Sequence, residues 1–137
     1  MKSDFLTKLW LEDIDGTNFI VAAPLIYYSE SFKGTFTVQA GTQTDLMSSP
    51  DILRGLLPKS NKYNRASVLH DAGLQGNLIT DTGLRVNLIK PLCDSIFLEA
   101  LLALGAEPEF AYLAYNLVVE YGKSEPKNLH PLSKTLN

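Results

Sequence analysis

Two short stretches carry the side chains whose types and spacing suit chemistry. The first is Asn64-Arg65-Ala66-Ser67-Val68-Leu69-His70-Asp71, and the second is Cys93-Asp94-Ser95-Ile96-Phe97, with Asp94 24 positions after His70. His70 is one of only two histidines. It falls in an apolar helical pattern, and Asp94 begins another. A histidine on one helix, steered by a carboxylate on a neighbouring helix, is a minimal general base. The carboxylate accepts a hydrogen bond from one ring nitrogen, fixes the tautomer and leaves the other nitrogen with its lone pair. Each residue also answers the other's difficulty, because an unpaired imidazole or carboxylate is costly on an apolar stripe. Contact between His70 and Asp94 is therefore expected, whether the pair catalyses or only locks two helices together.

Gly41-Thr42-Gln43-Thr44-Asp45, then Ser48-Ser49-Pro50, forms a second polar constellation. Two readings are open. Backbone carbonyls and Asp45 can offer oxygens to a hard cation such as Ca²⁺, with Asp71 as the second carboxylate. Alternatively, the stretch is an Asp turn followed by a Ser N-cap. Cys93 reads as a small core residue rather than a nucleophile. His130, beside Pro131, reads as solvated. The chain has no glycine-rich phosphate loop, zinc motif or serine nucleophile elbow.

The elements that must position these residues follow from periodicity and turn chemistry. Phe5 to Asp13 alternates loosely, and Asp15-Gly16 is a two-residue hairpin signal. Asn18 to Tyr28 is rich in β-branched and aromatic residues, with Pro24 marking an edge or a break. Lys33-Gly34 is a second turn, and Thr35 to Val38 alternates again. Three or four antiparallel strands are expected. From Ser49 the period becomes helical, with Ser49-Pro50-Asp51 as a helix start. Asn61 is placed to cap a helix over about Lys62 to Gly73, whose stripe is Tyr63, Ala66, Ser67, His70 and Leu74. Gln75 to Asn87 reads as a polar loop, in which Asp81-Thr82-Gly83 marks a small turn or hairpin. A third helix covers about Lys90 to Leu104, with stripe Asp94, Phe97, Leu101 and Leu104 and a stop at Gly105. Pro108 opens a fourth, which Gly122 ends. The fold class is α+β: a small N-terminal antiparallel sheet packed on about four helices, forming one domain over 1–122, with a loosely held tail over 123–137.

Composition narrows the function classes. At 137 residues, 45% hydrophobic and 20% charged, the chain is an ordinary globular size and mixture. A net charge of −3 and a pI near 5.3 argue against a dedicated nucleic-acid binder. The single cysteine allows no internal disulfide. No apolar run is long enough to span a membrane, and Met1-Lys2-Ser3-Asp4-Phe5 lacks the apolar core of a signal peptide.

Three stretches together resemble the small phage and prophage proteins grouped as domain of unknown function 1353. They are Val38 to Asp45 with the Ser-Pro that follows, Lys62-Tyr63 through Ala66 to His70-Asp71, and Cys93 to Gly105. The similarity runs over about residues 20 to 122. It implies an origin in a tailed bacteriophage or integrated prophage, other phage proteins as partners, and a place in the host cytoplasm during infection or in the virion. The pattern of His-Asp and a later Asp before an apolar helix also looks like the phospholipase A-two class, particularly its short viral members. That resemblance implies His70 as the base that activates water, Asp71 as a Ca²⁺ ligand and Asp94 as the residue that orients His70. It also implies transient contact with lipid. The chain departs from the pattern at Leu74, where many relatives carry Tyr, and in having only Gly41 at a plausible place in the calcium loop.

Two function classes follow. In one, the protein is a virion-associated or assembly component whose His-Asp pair is structural. In the other, it is a Ca²⁺-dependent, phospholipase-like hydrolase with His70 as general base. An open cleft at His70, with Asp45 or Asp71 nearby, favours the second, and a sealed pair favours the first.

Overall fold

The computed structural model describes residues 1–46 and 61–124. The helix start at Ser49-Pro50 and the tail over 125–137, with His130, lie outside the described residues. Among the described residues, eight strands form two antiparallel sheets. In chain order they are β1 (Asp4–Phe5), β2 (Leu11–Asp13), β3 (Phe19–Val21), β4 (Leu25–Ser29), β5 (Gly34–Val38), β6 (Gln43–Thr44), β7 (Leu78–Thr80) and β8 (Arg85–Val86). The larger sheet has the order β1-β4-β5-β7-β8 and the smaller β2-β3-β6. The helices among the described residues are α1 (Asn64–Leu74), α2 (Lys90–Ala103) and α3 (Pro108–Ser124). The α+β class holds, with three helices here rather than about four.

Pro24 explains why one apolar stretch became two strands. It has no N–H to give a ladder and sits where the chain leaves β3 in the small sheet and enters β4 in the large one. β4 and β5 then pair with Leu25 opposite Val38 and Tyr27 opposite Phe36, all four buried on one face. The expected two-residue turn at Asp15-Gly16 is longer, because β2 and β3 pair as far as Asp13 opposite Phe19. Asp15 organises the loop by accepting the N–H groups of Thr17 and Asn18 at 3.0 and 2.8 Å, and these bonds hold its carboxyl down at about 2. Asp81 to Gly83 joins β7 to β8, so the segment read mainly as a loop adds a hairpin to the large sheet beside β5.

The helices cover the sheet with small and branched residues. α1 buries Ala66 to His70 almost without a break, together with Ala72 and Gly73. α2 contributes Ile96, Phe97, Ala100 and Leu101, and α3 presents Ala111, Ala114 and Val118. Two positions depart from the expected stripes: Leu74 is exposed and Leu104 is half-buried. Both stand at helix ends. α1 begins after a 3₁₀ turn over Asn61–Tyr63, with Tyr63 rather than Asn61 at the N-cap position. α3 continues through Gly122 to Ser124, so that glycine does not end the helix. No helix among the described residues is long and apolar enough to cross a membrane.

Gly73 lets α1 approach α2. A Cβ there would meet the Cys93 Sγ at 3.0 Å and the Leu78 Cδ1 at 3.4 Å. Gly73→Ala is expected to destabilise the protein by about 1–3 kcal/mol through overpacking, despite the better helix propensity of alanine. Cys93→Ala removes the atom in the way, so the double variant should lose less than the sum of the two single losses. Urea denaturation of the four proteins measures this, and strict additivity would show that the two side chains do not compete for the space.

Candidate functional site

α1 carries His70 and Asp71, and α2 carries Asp94. Both helices end in the same local motif. In α1, Asn77 N–H donates to Ala72 at 2.8 Å and Gly76 N–H to Gly73 at 3.1 Å; in α2, Ala106 and Gly105 do the same to Leu101 and Leu102, each at 3.0 Å. Gly76 and Gly105 take the positive φ values, +71° and +91°, that this motif requires. The stop expected at Gly105 is thus met in detail. These endings fix the register of both helices, and with it the meeting of their polar residues.

The meeting is close. His70 Nε2 lies 2.6 Å from Asp94 Oδ1. A carboxylate only accepts, so Nε2 carries the proton and donates it. The second oxygen of Asp94 accepts from Lys90 Nζ at 2.6 Å, one helical turn earlier on α2. Lys90 Nζ also donates to the Val118 carbonyl of α3 at 3.0 Å. Burial alone would push the Asp94 carboxyl up, but the hydrogen bonds and charges of His70 and Lys90 outweigh it and hold the group below its usual range. The pair is sealed: His70 is 3% exposed and Asp94 2%. The Phe97 ring packs against the imidazole at 5.3 Å between centroids.

One edge of the imidazole is left over. Among the described residues, His70 Nδ1 is buried without a hydrogen-bond partner, and so is the hydroxyl of Ser67, one turn back on the same helix face. A buried polar atom without a partner costs about 1–3 kcal/mol and calls for a reason.

Asp71 follows His70 in the chain and points elsewhere, since successive helix residues diverge by about 100°. It lines a cleft of about 320 Å³ with Thr44, Asp45, Asn18, Gln43 and Gln75. Thr44 Oγ1 donates to Asp71 Oδ2 at 2.6 Å, and Gln75 Nε2 donates to the Gln43 carbonyl at 2.8 Å, which ties α1 to β6. Burial raises the Asp71 carboxyl; the Thr44 bond opposes this and the Asp45 charge adds to it, leaving the group at about 7. Leu74 stands on the rim. The four residues singled out from sequence therefore fall into two pairs, His70 with Asp94 and Asp45 with Asp71. His70 is not among the cleft's described lining. Among the described residues no group of three or more His, Cys, Asp or Glu side chains gathers as a metal cluster would. Cys93 is buried, and burial pushes its thiol up to about 12, so it is inert as a nucleophile.

Three further residues complete the site. Lys90 was legible as an i,i+4 partner of Asp94. Ser67 was legible only as a small polar residue on the buried stripe. Thr44 carries no signal in one sequence, because its role depends on the strand pairing of β6 with β3.

The family described as "Protein of unknown function (DUF1353)" matches residues 19–118, which includes both pairs. No curated protein and no solved structure matches the chain.

Removing Asp94 strands a buried imidazole and an ammonium. Asp94→Ala is expected to cost about 3–5 kcal/mol in urea unfolding. A loss under about 1 kcal/mol would contradict the assigned partnership. For Asp71 the sign is opposite. Its folded value of about 7 lies above the ordinary 3.8, so its ionisation penalises the fold fully above pH 7 and not at all below about pH 4. Asp71→Asn should therefore raise the melting temperature at pH 8 and lose that advantage as the pH falls toward 4. A pH-independent effect would count against the buried carboxyl.

Proposed function

Given that this chain belongs to the DUF1353 family of proteins of unknown function, we propose that it is a small bacteriophage-encoded virion-associated or assembly component in which the His70–Asp94 pair, with Lys90, locks the helices together. The observation that carries this reading is the sealing of the pair, since His70 and Asp94 are both buried and His70 is not among the described lining of the carboxylate cleft. A second reading, a Ca²⁺-dependent hydrolase of a lipid or other ester with His70 as its general base, is supported by the asymmetry of the imidazole. Nε2 is anchored to Asp94 at 2.6 Å while Nδ1 has no hydrogen-bond partner among the described residues. In the neutral ring Nδ1 then holds a lone pair, directed by the contact on the opposite edge. In that reading a water molecule admitted to this edge would give up its proton to Nδ1 as its oxygen attacks the ester carbonyl. The imidazolium so formed is stabilised by Asp94 and returns the proton to the departing alkoxide. Asp94 stays ionised throughout, because Lys90 neutralises its other oxygen.

Asp71 and Asp45 are suited to hold Ca²⁺. They bring hard carboxylate oxygens to one cleft, and the raised Asp71 carboxyl marks a place where positive charge is wanted. Bound there, the ion would supply positive charge to a substrate oxygen that becomes negative. The weaker resemblance to the phospholipase A-two class supports the same assignment of His70, Asp71 and Asp94.

The burial of the pair supports the first reading. With His70 at 3% exposure and Lys90 binding both Asp94 and α3, the three residues make a lock between helices. The protein is then a non-catalytic virion-associated or assembly component, present in the host cytoplasm and the virion. It would recruit other phage proteins through the edge strands β1 and β8.

One comparison separates the two. The lock predicts no hydrolysis of a panel of micellar phospholipids and simple esters by wild type; the hydrolase instead predicts Ca²⁺-dependent turnover that His70→Gln lowers by about 10²–10⁴ with its fold intact. The hydrolase also predicts that Ca²⁺ raises the melting temperature of wild type but not of Asp71→Asn. No hydrolysis by wild type, together with a clear loss of stability in His70→Gln, would leave the lock as the function of the pair.

A further inference from the structure

A second concave feature lies at the opposite end of α1 from the carboxylate cleft. It has a volume of about 580 Å³ and is lined by Lys8, Leu9, Leu11, Asn64 and Arg65. Two cations and no carboxylate line it among the described residues, although the whole chain carries a net charge of −3. Arg65 does not swing freely. Its Nη1 donates to the Thr7 carbonyl at 3.3 Å, and its guanidinium lies 5.1 Å from the centre of the Phe5 ring. Lys8 is exposed and has no carboxylate partner among the described residues. The positive end of α1 adds to the field, because the helix has no acid in its first turn and no side-chain cap. Leu9 and Leu11 pack on the core and give the cavity an apolar wall.

We infer that this cavity binds an anionic group carried on an apolar body, with Lys8 and Arg65 taking the anion and Leu9 and Leu11 the chain attached to it. The two fixed or free cations and the helix end supply charge that nothing in the described protein neutralises. The leucines supply a surface that a fully hydrated ion would not need. The anion can come from a free phosphate or from the head of an amphiphile, and the apolar wall favours the amphiphile. This binding requires no turnover and stands apart from the chemistry of His70.

The test uses the full chain and three probes: octyl phosphate, inorganic phosphate and octyl glucoside. Binding is followed by calorimetry and by the backbone amide resonances of Leu9 and Arg65. Octyl phosphate is expected to bind and to shift both amides, and Lys8→Glu to weaken it about tenfold or more. The melting temperature of Lys8→Glu should match wild type, because Lys8 is exposed. Lys8→Arg should retain binding. Inorganic phosphate binding as tightly as octyl phosphate would overturn the role of the apolar wall. Octyl glucoside binding as tightly would overturn the role of the anion. Octyl phosphate binding undiminished by Lys8→Glu, or no binding at all, would overturn the site.

Discussion

A carboxylate cannot sit in a protein interior alone, and Asp94 is the group around which the helical half of this molecule is arranged. Its two oxygens are taken by His70 from α1 and by Lys90 from its own helix, and Lys90 reaches on to a carbonyl of α3. One buried negative charge thus ties all three described helices. The contacts are directional where the surrounding alanines, leucines and valines are not, so they fix how α1 and α2 are rotated about their axes. That rotation places Gly73 against Cys93 and turns Asp71 toward β6. Ionic groups of this kind add little net stability over a well-packed apolar substitute. Their contribution is a unique arrangement, and in this protein the arrangement leaves one imidazole nitrogen unused.

The polar residues divide by role. Asp94, Lys90 and the Nε2 edge of His70 satisfy one another and set geometry. Nδ1 of His70 and the hydroxyl of Ser67 find no partner among the described residues. On the adjoining face, Asp45 and Asp71 repel each other in a cleft that burial makes unfavourable for two negative charges. That tension is relieved by a proton below neutral pH or by a cation above it. His70 and Asp71, neighbours on α1, thus face two different surroundings, a sealed helix–helix contact and an open carboxylate cleft.

Much of this was readable before any coordinates. The stripes that carry His70 and Asp94 made their contact the economical solution for both, and Gly105 marked the end of α2 through its freedom to take positive φ. Other features needed the third dimension. Pro24 was legible as a break, but only the pairing of β3 with β6 and of β4 with β5 shows that it separates two sheets. The Gln75–Asn87 segment looked like a loop because β7 and β8 are short; β7 becomes a strand by pairing with β5, and β8 by pairing with β7, rather than through any alternation of their own. Leu74 followed the helical period yet is exposed, since the period says which residues share a face and not where that face stops being covered. Thr44 and the cavity at Lys8 and Arg65 depend on contacts across the chain that spacing does not encode.

The central claim is that Nε2 of His70 keeps its proton and hydrogen-bonds it to Asp94, which leaves Nδ1 with its lone pair. Nitrogen-15 NMR of the His70 ring at neutral pH reports this directly, through the two nitrogen shifts and their couplings to the ring carbon-bound protons. The expected result is a neutral imidazole with a protonated Nε2 and an unprotonated Nδ1, changed in Asp94→Asn. A ring protonated on Nδ1, whether as the other tautomer or as the imidazolium, would contradict it, since no lone pair would remain to act as a base.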